Sequence, residues 1–188
     1  MSFKKALLFI SVTIILVAAA FTAYFYIFFT TPVSDRDDYR IYIRPSDTQE
    51  SILKNITDSD PEAKTKGLKY LLNHRKYDSN IHTGCYTVKS GATPKQVADM
   101  LTGGIQTPVR ITVNSTRTVG QMVRNITNQI MIDSAVVAER LSDSHLLDSL
   151  GYTPATIFCM IIPDTYEVYW NISADALIKR LIKERDRF

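Results

Sequence analysis

Carboxyl groups that could donate a proton stand close together in one stretch, Ile161-Ile162-Pro163-Asp164-Thr165-Tyr166-Glu167-Val168-Tyr169-Trp170. Glu167 has apolar and aromatic residues on both sides, a setting of the kind that keeps a carboxyl protonated for general-acid work. The competing reading is a solvated glutamate on a loop or an edge strand. Pro163-Asp164-Thr165 is turn chemistry, so the Asp164 side chain is expected to accept from backbone donors. The aromatic residues of the stretch could simply be packed. Elsewhere the chain offers little for chemistry. His74, His82 and His145 are scattered among polar neighbours, without the spacing of metal ligands. Cys85 and Cys159 each read as a small core residue, with a bridge between them as the alternative in an exported chain. The net charge of +3 comes from basic residues spread along the chain, which gives nucleic-acid binding no support.

The elements that must position this stretch begin with an apolar segment. Residues 6–29 carry no charged side chain. At the helical rise they reach about 36 Å, enough to cross a hydrocarbon core of roughly 30 Å. Lys4 and Lys5 precede the segment, and Asp35, Asp37 and Asp38 come after it. The positive-inside rule then keeps residues 1–5 in the cytoplasm and exports the body. Read instead as a cleaved signal peptide, the segment has Ala18-Ala19-Ala20 as its cleavage site. Its apolar run is longer than the ~7–15 residues usual for that role. Either reading places the body outside the cytoplasm, and the retained anchor makes the lipid bilayer a partner through residues 6–29.

The body of about 155 residues suits one domain or two small ones. Three times it shows a short strand, a turn, a capping threonine and a helix with one apolar stripe. Ile43, Val88 and Val113 each precede a threonine (Thr48, Thr93, Thr118) by five positions. Each threonine precedes apolar residues by four (Ile52, Val97, Met122) and by eight (Ile56, Leu101, Ile126). Pro94 suits a first helical position, and Gly103-Gly104 a helix end. Duplication and common local grammar both explain the pattern, and either implies small α+β units. Between the first two units, Asp58-Ser59-Asp60-Pro61 predicts a helix from Pro61 to about Arg75. After the third come predicted helices over 134–141, up to Leu150-Gly151, and from Thr153-Pro154. The last helix is capped by Ser173, bears Leu177, Ile178, Leu181 and Ile182, and is expected to run to Phe188.

The order of these features resembles the membrane-anchored endolytic murein transglycosylases, the YceG-like family. Pro163-Asp164-Thr165-Tyr166 is similar to that family's Pro-Asp-Thr-Tyr motif. Gly84-Cys85-Tyr86 resembles its glycine-tyrosine strand, Leu101-Thr102-Gly103-Gly104 its helix end, and Val109–Val113 the strand leading to its catalytic domain. The resemblance runs collinearly over residues 1–188. It implies an α+β protein with one transmembrane helix, a LysM-like region over 38–104 and the N-terminal part of a catalytic domain over 105–188. It also implies non-hydrolytic cleavage between N-acetylmuramic acid and N-acetylglucosamine in peptidoglycan, leaving 1,6-anhydro ends near the inner membrane. One glutamic acid protonates the leaving oxygen and then helps the muramic C6 hydroxyl close the ring. No metal or cofactor is implied. Peptidoglycan glycan strands are the implied partner, with the cell-wall synthesis machinery as a further one.

Two departures shape the expected chemistry. The family's catalytic glutamate lies five residues before the motif proline, where this chain has Phe158, with Cys159 next in place of glycine. Glu167 becomes the candidate substitute acid, and Tyr166 and Trp170 the candidate substrate-binding residues. The family's catalytic domain also continues past the helix in which this chain ends, so a truncated frame, a gene fragment or a piece is expected. The alternative function is a tethered, non-catalytic LysM-like peptidoglycan binder. An exported glycoprotein is a third reading, from acceptor patterns at Asn55, Asn114, Asn125 and Asn171.

Overall fold

The computed structural model describes residues 3–153, 156–157 and 161–187, with side chains from Ile10 onward. The protein is α+β, and it divides into two compact units. The first comprises residues 1–82 and 86–105, the second residues 83–85 and 106–188. Phe158 and Cys159 lie outside the described residues, as does part of the short helix expected from Thr153-Pro154.

The first unit opens with α1, Phe3–Thr30. Within it Ile10–Thr30 has a mean hydropathy of 2.2 and is long and apolar enough to cross a membrane. Its apolar side chains are exposed all round the helix, including Ile14, Leu16, Val17 and Phe21. A helix of that kind is stable only in a non-aqueous surrounding or against a partner. Thr22 and Thr30 turn their hydroxyls back onto the carbonyls of Ala18 and Tyr26, at 2.8 and 2.7 Å, so neither polar group is left bare.

Beyond α1 the unit contains β1 (Tyr39–Ile43), α2 (Gln49–Ser59), α3 (Lys66–His74), a 3₁₀ turn at Tyr77–Ser79, β2 (Gly84–Val88) and α4 (Pro94–Thr102). Strands β1 and β2 pair. Thr48 and Thr93 cap α2 and α4 with full capping boxes, their N3 partners being Ser51 and Gln96. The stripes Ile52, Ile56, Val97 and Leu101 are buried with Ile41, Ile43, Tyr86 and Val88. The helix expected from Pro61 starts only at Lys66. Asp60 is buried and takes the Ser34 hydroxyl at 2.5 Å and the Glu62 N–H at 3.1 Å. The Lys64 N–H donates to the Val33 carbonyl at 2.8 Å. With these groups held by the segment after α1, residues 61–64 cannot close helical turns.

In the second unit β3 (Val109–Val113) pairs antiparallel with β4 (Asp164–Val168). Around them lie α5 (Val119–Thr127), α6 (Ser134–Ser142), α7 (Ser144–Ser149) and α8 (Ala174–Arg185). Thr118 and Ser173 cap α5 and α8 as expected. Val109, Ile111, Val113, Tyr166 and Val168 pack into one core with Met122, Ile126, Leu177, Ile178 and Leu181. Cys85 is buried in the same core. The outer edge of β3 is capped at Thr112 by a side chain. Gln129 accepts from the Thr112 N–H at 2.9 Å and donates to the Thr112 carbonyl at 3.0 Å, as a neighbouring strand would. Helix α8 ends at Arg185, with Asp186 as its C-cap, rather than running to Phe188. Arg187 N–H instead bonds the Glu184 carbonyl at 3.1 Å, the tighter closure of a helix terminus.

Two measurements test these assignments. Thr93→Ala removes one cap and should lower stability by about 1 kcal/mol in urea unfolding. Burial, with Asp60 second, raises the Tyr39 phenol to about 12, and burial alone raises Tyr86 to about 12. Burial also raises Tyr77 further. A raised phenol stabilises the fold fully below the unfolded value near 10 and loses that contribution as pH climbs above it. The urea midpoint should therefore be flat from pH 8 to about 10 and fall beyond, with Tyr77→Phe showing a shallower fall.

Candidate functional site

The motif stretch forms β4, and its alternation sorts the candidate residues onto two faces. Glu167 lies opposite Arg110 in register, and Thr165 opposite Thr112. The Arg110 Nε donates to Glu167 Oε1 at 3.1 Å, with the two side chains 73% and 60% exposed. Glu167 is thus on the open face of an edge strand, separated by the pleat from the apolar neighbours that flank it in sequence. Its environment is a cross-strand ion pair in solvent.

Tyr166 and Trp170 turn the other way. Tyr166 is 1% exposed and Trp170 9%. The Tyr166 hydroxyl donates to the Ile162 carbonyl at 2.6 Å, and the Arg180 guanidinium sits 5.8 Å from its ring centroid. Burial raises the Tyr166 phenol, with Asp164 and Glu184 adding to the shift. The Trp170 carbonyl accepts from the Met131 N–H at 2.8 Å. The two rings expected to touch substrate are buried in the core of the second unit, where Tyr166 meets Arg180 of α8. Asp164 behaves as its turn setting implies: its Oδ1 accepts from the Thr165 N–H at 2.6 Å. The strand therefore brings Glu167 to Arg110, and it keeps Glu167 apart from Tyr166 and Trp170.

A second candidate lies wholly in the first unit. A cleft of about 420 Å³ opens where the β1–α2 turn meets α3 and the connection into β2. Asp47, Thr48, Gln49 and Glu50 line it from the turn, Lys69 and Asn73 from α3, and Asp78 and Ile81 from the connection. Gln49 holds these segments together. Its N–H donates to Asp78 Oδ1 at 2.7 Å, and its Nε2 donates to Asn73 Oδ1 at 2.5 Å. The residue is 2% exposed, and its Oε1 is buried without a hydrogen-bond partner among the described residues. With carboxylates, a hydroxyl and an amide around it, the cleft suits a ligand rich in O–H and N–H groups. Nothing in the local sequence marks its residues, because the contacts span 24 and 29 positions and no short spacing encodes them. Among the described residues, no group of three or more His, Cys, Asp or Glu could hold a metal ion.

Comparison with known proteins adds a family and structural similarity. The family model described as YceG-like family matches residues 41–188. No curated protein matches the chain. A crystal structure of a yceG-like protein from Listeria monocytogenes is similar at 14% identity and a TM-score of 0.45, over 81% of this chain. The chain spans 55% of that structure's length.

Two substitutions separate the candidate sites energetically. Arg110→Ala should change stability by less than about 1 kcal/mol, as befits an exposed pair. Gln49→Ala should cost about 1–3 kcal/mol, since it strips a buried tie and leaves Asn73 without its donor. Urea unfolding of both variants beside the parent reads the difference.

Proposed function

Because the chain belongs to the YceG-like family, a family of murein transglycosylases, we propose that it is a membrane-tethered protein acting on peptidoglycan glycan strands. In this reading α1 is a single-pass anchor in the inner membrane, with Lys4 and Lys5 in the cytoplasm and the body outside. Residues 38–104 serve as a LysM-like region and residues 105–188 belong to the transglycosylase domain. The observation that carries the reading is the family match across 41–188, with Asp164, Thr165 and Tyr166 of the motif run built into β4 of the second core. The cleft beside Gln49 supports the LysM-like part, because the carboxylates of Asp47 and Glu50 that line it can accept from sugar hydroxyls and acetamido N–H groups.

The reaction proposed is non-hydrolytic cleavage of the bond between N-acetylmuramic acid and N-acetylglucosamine. A carboxylic acid protonates the leaving oxygen as its bond to the muramic C1 breaks, and the resulting carboxylate takes the proton of the C6 hydroxyl as that oxygen bonds C1 to close the 1,6-anhydro ring, so no water is consumed. Asp164 and Glu167 are the carboxyls of the motif stretch, and Glu167 is the proposed donor. Tyr166 and Trp170 then serve by holding its strand. The second reading is a non-catalytic peptidoglycan binder. It is favoured by Phe158 at the family's glutamate position and by the pairing of Glu167 with Arg110 on an open strand face.

Peptidoglycan sacculi incubated with the purified full chain in detergent separate the readings. Soluble 1,6-anhydro muropeptides are the expected product of the transglycosylase. Sedimentation of the chain with sacculi, without product, selects the binder, and neither result rejects both. In a chain that does release product, Glu167→Gln should reduce release by at least about 100-fold if Glu167 is the acid. Unchanged release would assign Glu167 to its cross-strand pair alone.

A further inference from the structure

The exit end of α1 and the start of α3 enclose a mainly apolar groove of about 490 Å³. Tyr24, Ile27 and Phe28 form its wall on α1, and Lys64 and Lys66 stand at the opposite rim. Tyr24 and Ile27 are 65% and 62% exposed, so the groove continues the apolar surface that α1 presents all round. Gly67 makes the junction close: a Cβ there would lie 2.9 Å from the Phe28 carbonyl oxygen. Lys64 and Lys66 are both exposed, and neither forms an ion pair among the described residues. Thr65, at the N-cap of α3, makes no side-chain cap hydrogen bond.

With α1 as an anchor, the apolar wall and the cationic rim fall where a membrane changes from acyl chain to headgroup. Tyr24 stacks on Phe28 with ring centroids 6.1 Å apart, and Phe29 meets Tyr70 of α3 at 5.7 Å, an aromatic belt of the kind found at that depth. We propose that this groove binds an anionic phospholipid of the surrounding leaflet. Its acyl chain lies along Tyr24, Ile27 and Phe28, and its phosphate is held by Lys64 and Lys66. Charge complementarity and continuity with the lipid-facing surface of α1 select this occupant. Binding there would clamp α3 at the headgroup level. The inference rests on α1 being a retained anchor.

The test uses the full chain in nanodiscs of phosphatidylcholine alone or with 30% phosphatidylglycerol. Hydrogen exchange over residues 65–69 is the readout. Phosphatidylglycerol should slow exchange there at least fivefold, and the Lys64→Ala, Lys66→Ala double variant should abolish the slowing. Inorganic phosphate added to phosphatidylcholine discs should not reproduce it. Equal exchange in both discs, with the chain still resistant to alkaline carbonate extraction, overturns lipid binding and leaves the anchor standing. A chain extracted by carbonate overturns the anchor and the proposal together. Protection that tracks the number of chains per disc, rather than lipid charge, overturns the proposal in favour of a second copy.

Discussion

Two-stranded sheets are marginal in water, so each sheet of this protein exists because helices cover one of its faces. That constraint sets the rest. A helix can cover a sheet only if it starts at a defined place and turns one stripe inward. The threonines at 48, 93 and 118 supply the start, and the residues four and eight positions later supply the stripe. All six stripe positions are buried. The candidate sites then occupy what this arrangement leaves open: the uncovered face of β3 and β4, and the turn where β1 hands over to α2.

Local grammar was therefore legible and long-range grammar was not. Strands β1 and β3 and the caps at Thr48, Thr93, Thr118 and Ser173 come from spacing alone, because each depends on neighbours within a few residues. The start of α3 was misjudged because Asp60 and Lys64 bond to Ser34 and Val33, which no local rule anticipates. Strand β4 was hidden for the opposite reason. Pro163-Asp164-Thr165 speaks as a turn, and only pairing with β3, far earlier in the chain, makes a strand of Asp164–Val168.

The same limit governed the candidate site. Sequence neighbours made Glu167 look enclosed, since a linear order of residues does not record the pleat. In the folded chain the carboxylate is open and the rings of Tyr166 and Trp170 are closed. Gln49 shows the converse: an unremarkable glutamine on a helix start becomes a buried hinge pin once Asn73 and Asp78 arrive from elsewhere.

The amide of Gln129 carries a last implication for the second sheet. By occupying both backbone groups of Thr112, it ends the hydrogen-bond ladder on that side as firmly as another strand would, but offers nothing onward to pair with. A strand arriving on that side must displace Gln129 before it can pair at Thr112, so one side chain sets the cost of strand addition there.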